Sequence, residues 1–188
     1  MALRRLGFAA AQLAPRPGAS QALARVITVG DLPGGGWSVL DERTWRTGMS
    51  GPATPWGRRA REARSVTAWR SFGCASAKRS CWVQVVPLAS EADALSALDG
   101  AGDRGLRNLR ARVRLVREHD VDIEAFPGAA KVWAHEQHTT GPDGNGVSMM
   151  LAAACGTYMI VVSVAGVPEW TWDELVSVAA RQAALLGA

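Results

Sequence analysis

The chain has 188 residues, 48% of them hydrophobic and 20% charged, with a net charge of +4. That length suits one domain, or one domain with a tail, and so much apolar side chain supports a full core. An intrinsically disordered chain is therefore excluded, and no metal or disulfide is needed to hold the fold.

Met1–Ser20 is basic and apolar: Arg4 and Arg5 precede a short apolar stretch, Leu6–Ala14, that contains Gln12. This is the outline of a degenerate export signal, of a loose basic tail or of a first helix of the fold. Residues 1–22 are accordingly assigned to a tail or signal and residues 23–188 to one α+β domain. The expected location is the cytoplasm, or outside it if the segment is a signal or the true start lies elsewhere. The longest apolar run, Val147–Val167, is broken by Ser148, Gly156, Thr157, Ser163 and Gly166. It is too polar for a membrane span, and no transmembrane segment is expected.

Val26-Ile27-Thr28-Val29 is β-branched and reads as a short first strand, closed by the loop Leu32-Pro33-Gly34-Gly35-Gly36. That glycine run lacks a following Lys-Ser/Thr and opens no helix, so it offers no phosphate cradle, and no cofactor is expected. Trp37–Trp45 alternates as a strand with Asp41 and Arg43 on the tryptophan side, an irregularity that a bulge near Asp41-Glu42 repairs. Gly48–Gly57 is loop by composition, and Arg58, Arg59, Arg61 and Arg64 form a basic run. Ser65–Phe72 and Cys81–Leu88 read as a β-hairpin. Cys74 and Cys81 bracket its loop; if they lie opposite each other, the spacing suits a disulfide, formed only in an oxidising compartment. Cys155, in an apolar run, reads as a small buried hydrophobe.

Glu91–Leu109 is the best internal helix, capped by Ser90 with Glu91 and Asp93 in its first turn, and interrupted near Gly100 and Gly102. Leu109–Val116 switches to period two, which puts Arg110, Arg112 and Arg114 on one outer face, roughly 7 Å apart, close to a phosphate repeat. The acidic C-terminal half supplies partners for these arginines, so nucleic acid is a disfavoured partner. Arginine outnumbers lysine 19 to 2, which a GC-rich genome explains more simply than selection for an anion. His135 and His138, three apart in a strand, face opposite sides and make no joint metal site. His119-Asp120 and Asp122-Glu124 read as a solvated strand end.

Ala130–Thr140, Val147–Cys155 and Tyr158–Ala165 form a three-stranded meander about the turn Gly141–Gly146. Its last strand, apolar on both faces (Met159 to Val164), belongs at the centre of the sheet. Thr171 with Glu174 is a capping box that opens a C-terminal helix, with Leu175, Val178, Ala179, Gln182, Leu185 and Leu186 as its buried stripe. The expected fold is α+β: an antiparallel sheet of about six strands packed by an internal and a C-terminal helix. There are eight tryptophans against one tyrosine and three phenylalanines. Trp37, Trp45 and Trp133 are the candidate lining of an apolar pocket.

Two stretches, DLPGGGWSV (31–39) and YMIVVSVAGVPEWTWDELVSVAARQAALL (158–186), carry a likeness that spans residues 30–187. They resemble the small actinobacterial sensor or lipoprotein-type domains with a Mog1/PsbP-like α/β/α sandwich. The resemblance implies a non-catalytic binding or accessory domain, several relatives being exported; this chain has no cysteine placed for a lipid anchor. Together the readings point to a binder of a small apolar ligand or a protein partner. The alternatives are a polyanion binder acting through the arginine face, and an enzyme with no recognisable motif.

Overall fold

The computed structural model describes residues 18–48, 54–101, 114–141 and 144–187. Seven strands form one sheet in the order β1-β2-β3-β7-β6-β5-β4, every neighbouring pair antiparallel. They are β1 (Trp37–Arg46), β2 (Val66–Cys74), β3 (Arg79–Pro87), β4 (Arg114–Val121), β5 (Lys131–Gly141), β6 (Gly144–Cys155) and β7 (Tyr158–Gly166). The described α-helices are α1 (Ala19–Leu23), α2 (Pro55–Glu62), α3 (Glu91–Asp99) and α4 (Trp172–Leu185). Helix α1 begins inside the segment assigned to the tail, and its Ala22 is buried in the core.

The helices fall on both faces of the sheet. On one, α4 covers β6 and β7 while α1 covers β1 and β2, over a core that includes Phe72, Leu151, Ile160, Val162 and Leu175. On the other, α3 lies across β5, β6 and β7, and Ala60 of α2 joins a smaller core of Val86, Leu98, Ala152, Met159 and Val161. Strand β7 is buried on both sides because each face carries a helix, which is why its sequence is apolar without alternation.

Val26–Val29 is not a strand. Val26 and Ile27 are plugged into the core, and a 3-10 turn follows at Val29–Asp31. The backbone of this segment is satisfied by side chains in place of a ladder. Arg70 Nη1 donates to the carbonyls of Val26 and Ile27 at 2.9 and 2.6 Å. The Gln182 amide accepts from Ile27 N–H at 3.0 Å and donates to the Arg25 carbonyl at 2.8 Å.

The bulge in β1 falls between Val39 and Asp41, one residue before the expected place. It splits the strand: Trp37 and Val39 pair with Cys74 and Phe72 on the α4 face, whereas Arg43 and Trp45 pair with Trp69 and Thr67 on the other. Strand β4 has a matching irregularity between Leu115 and Arg117. Both edge strands of the sheet are thus bulged, which discourages edge-to-edge pairing. The residues at the two bulges, Leu40 and Val116, are each 66% exposed.

The expected capping box forms: Thr171 Oγ1 accepts from Glu174 N–H at 3.2 Å and Glu174 Oε2 accepts from Thr171 N–H at 2.9 Å. The same oxygen takes Arg79 Nη2 at 2.7 Å, and the Arg79 guanidinium lies over the Trp170 ring at 3.8 Å. Trp170 in turn tilts against Trp37 at 5.6 Å. Burial pushes the Glu174 carboxyl up, but the bonds from Arg79 and Thr171 outweigh it and hold it below the ordinary range. This knot joins the two sequence stretches that carry the resemblance, so their tryptophans act there as structural anchors.

Candidate functional site

Strand β5 presents two different polar surfaces, because alternate residues point to opposite faces. His135 and His138 do face opposite sides, as their spacing requires. On the α3 face His135 is buried, with Nδ1 2.7 Å from Asp120 Oδ1. Its ring stacks on Trp133 at 5.5 Å and 14°. Buried Gln137 donates from Nε2 to Glu118 Oε2 at 3.4 Å. Asp120 is a solvent-exposed residue near the end of β4, in keeping with its sequence reading, and its pairing with His135 arises only because the β4–β5 register sets the two opposite each other.

On the α4 face the arrangement is more open. Glu136 and His138, two apart on β5, share that face, and His138 Nε2 lies 2.7 Å from Glu136 Oε1. The other carboxyl oxygen accepts from the Trp172 indole N–H at 3.2 Å, at the first turn of α4. Burial raises the Glu136 carboxyl; the hydrogen bonds from His138 and Trp172 outweigh that, and its pKa falls below the ordinary value. An ionised Glu136 is an acceptor on both oxygens, so it orients the His138 ring with Nε2–H toward the carboxylate.

His138 opens onto a cleft of about 380 Å³ at the β4–β5–β6 end of the sheet. Val147, its cross-strand partner on β6, forms apolar floor, and Val116 at the β4 bulge forms an apolar wall. Thr139, Thr140 and Gly146 bring polar groups from the strand ends, and Glu169 closes the far side from the β7–α4 connection. The bulge in β4 is what places Val116 here. These residues are scattered over more than fifty positions of sequence and meet only because β4, β5 and β6 are neighbours.

The tryptophans singled out from sequence are placed elsewhere. Trp37 sits in the Arg79–Trp170 knot, where its indole donates to the Pro33 carbonyl at 2.9 Å. Trp45 lies toward the far end of edge strand β1, and Trp133 lies on the α3 face of β5. The structure does not bring these three together, and none lines the cleft. Arg110 and Arg112 lie outside the described residues, and Arg114 opens β4. In the basic run, Arg59 pairs with Asp93 of α3, and Arg61 donates to the Gly48 carbonyl at 2.5 Å.

Cys74 and Cys81 are both free. The hairpin register sets Cys74 opposite Arg79 and Cys81 opposite Phe72. The two are diagonal neighbours, for which about 7–8 Å is typical, beyond the roughly 4.4–6.8 Å that a disulfide spans. Burial pushes the Cys81 thiol up to about 12 and that of Cys155 up to about 11, so both are inert. Among the described residues no group of three His, Cys, Asp or Glu side chains could hold a metal ion. No described helix is long and apolar enough to cross a membrane.

No protein-family model matches the chain, and no curated protein matches it. Among solved structures, the extracellular domain of PknH from Mycobacterium tuberculosis is similar at a TM-score of 0.58 and 8% identity, over 90% of this chain and 97% of that one. A putative uncharacterised protein from Mycobacterium smegmatis, an Rv0999 ortholog, gives a TM-score of 0.48 and 11% identity, over 88% of this chain and 97% of that one. At 8% identity, the likeness to the PknH domain shows a shared fold.

Proposed function

We propose that this chain is a non-catalytic binding domain whose ligand, a small amphipathic molecule, occupies the cleft at the β4–β5–β6 end. The observation that carries this reading is the cleft itself: about 380 Å³, with apolar Val116 and Val147 alternating with His138, Thr140 and Glu169. Its volume is within the range of small-molecule sites, and a few placed polar groups among apolar walls are what such sites use for orientation. The ligand of this reading is more polar than one held by tryptophans alone. The fold likeness supports a binding role, since in PknH this fold stands as an extracellular domain. Kinship with Mog1/PsbP-like sensor domains belongs to the same proposal and is supported by the layout of helices on both faces of one antiparallel sheet.

Val147→Trp tests the reading, because a larger ring on the cleft floor takes the ligand's place while the backbone pairing with His138 stays. In a thermal-shift screen of small amphiphiles, compounds that stabilise the unmodified chain are expected to lose at least tenfold in affinity against the variant, a difference of about 1.4 kcal/mol. Hits that bind both proteins equally would place the ligand elsewhere.

A further inference from the structure

The donors and acceptors around the cleft narrow the ligand further, in an inference that rests on the cleft being the binding site. With the Nε2 proton directed at Glu136, the other ring nitrogen, Nδ1, is an acceptor in the singly protonated imidazole. No described residue donates to it. Glu169 is a second acceptor across the cleft, and among the described residues its carboxylate has no ion-pair partner. The hydroxyl of Thr139 is turned to the Gly146 carbonyl at 3.5 Å, while Thr140 contributes a hydroxyl that can take either role. The polar side of the cleft therefore asks for a ligand that donates from more than one point.

Charge selects among donors. An anionic ligand would face Glu169 directly, with Glu136 behind His138. A cationic ligand would find one free carboxylate, Glu169, but also the like charge of Arg117, which lies opposite His138 in the β4–β5 register, and the Glu136 carboxylate is already held by two donors. A neutral hydroxyl donor meets neither difficulty. The apolar side, Val116 and Val147, suits C–H surface, not another polar edge.

We propose that the cleft takes a polyhydroxylated ligand of the carbohydrate or polyol class, with one hydroxyl donating to His138 Nδ1, another to Glu169, and its C–H face on Val116 and Val147. His138 then determines specificity by presenting an acceptor that Glu136 and Trp172 hold in place.

The test uses the full chain and two probes of one shape: methyl glucoside, and the same glucoside with every hydroxyl O-methylated. Binding followed by calorimetry is expected for the free glucoside and at least tenfold weaker for the capped one. His138→Phe is expected to abolish that preference, and His138→Gln, which keeps a polar group able to reach both Glu136 and a ligand, to retain part of it. Equal binding of both probes, or a preference that survives in His138→Phe, overturns the assignment of ligand class. Failure of the free glucoside to bind overturns it as well. Loss of screening hits in Val147→Trp decides the cleft reading independently, so the two can fail separately.

Discussion

Gln182→Leu is expected to be among the most damaging single substitutions in the chain, although Leu fills nearly the same space and Gln182 sits in a stripe that otherwise reads as apolar. Its side chain is fully buried, and its two amide atoms satisfy Ile27 N–H and the Arg25 carbonyl, 155 and 157 residues away. Leucine leaves both backbone groups without partners in the core. Each such group costs about 1–3 kcal/mol, so a loss of about 2–4 kcal/mol is predicted in urea unfolding. For a chain of this size that corresponds to a fall in melting temperature of about 5–15 °C. A change under about 0.5 kcal/mol would mean that the segment before the first strand does not need this clamp.

The second large effect is Gly166→Ala. Gly166 ends β7 opposite Arg79 with φ +125, a conformation that L side chains avoid. A Cβ there would sit 2.3 Å from the Lys78 carbonyl oxygen and 2.6 Å from Arg79 Cα. Both contacts are with backbone, so no rotamer change relieves them. To make room, the β2–β3 hairpin would have to shift and disturb the Arg79–Trp170–Glu174 knot beside it. A loss of about 3 kcal/mol or more follows from strain and clash together. Gly35→Ala is the control: its Cβ meets nothing within 4 Å, and a change within about 0.5 kcal/mol is expected. Equal behaviour of the two variants would show that the close approach at Gly166 is not a constraint.

Much of this fold is legible in the sequence because burial on one face writes a period into it. The alternation of β2 and β3, the turn between β5 and β6, the uniformly apolar β7 and the Thr171/Glu174 capping box all carry their own local signals. Val26–Val29 shows where that logic stops. Its β-branched residues satisfy strand propensity, yet its polar backbone is claimed by Arg70 and Gln182, partners that no local pattern announces. Gln182 falls in an apolar stripe by its spacing, and its partners are equally remote in sequence. The offset of Cys74 from Cys81 depends on hairpin register, which composition of the loop does not fix.

The candidate site was less legible than the fold. That Glu136 and His138 share a face follows from period two, and so does the separation of His135 from His138. What alternation does not encode is sheet order: nothing local places β4 at an edge beside β5, puts Val116 at its bulge, or brings Glu169 round to the same cleft. The tryptophans drew attention by number, but Trp37 and Trp170 are held in a buried contact with Arg79 and serve packing.

The most direct test of the cleft is an NMR titration of the full chain with a stabilising hit from the amphiphile screen, following backbone amides and tryptophan indoles. The predicted result is a cluster of shifts at His138, Thr139, Thr140, Val147 and Glu169, together with the Trp172 indole that reports on Glu136. Shifts confined to the α3 face around Trp82 and Trp133, with the cleft amides and the Trp172 indole silent, would contradict it.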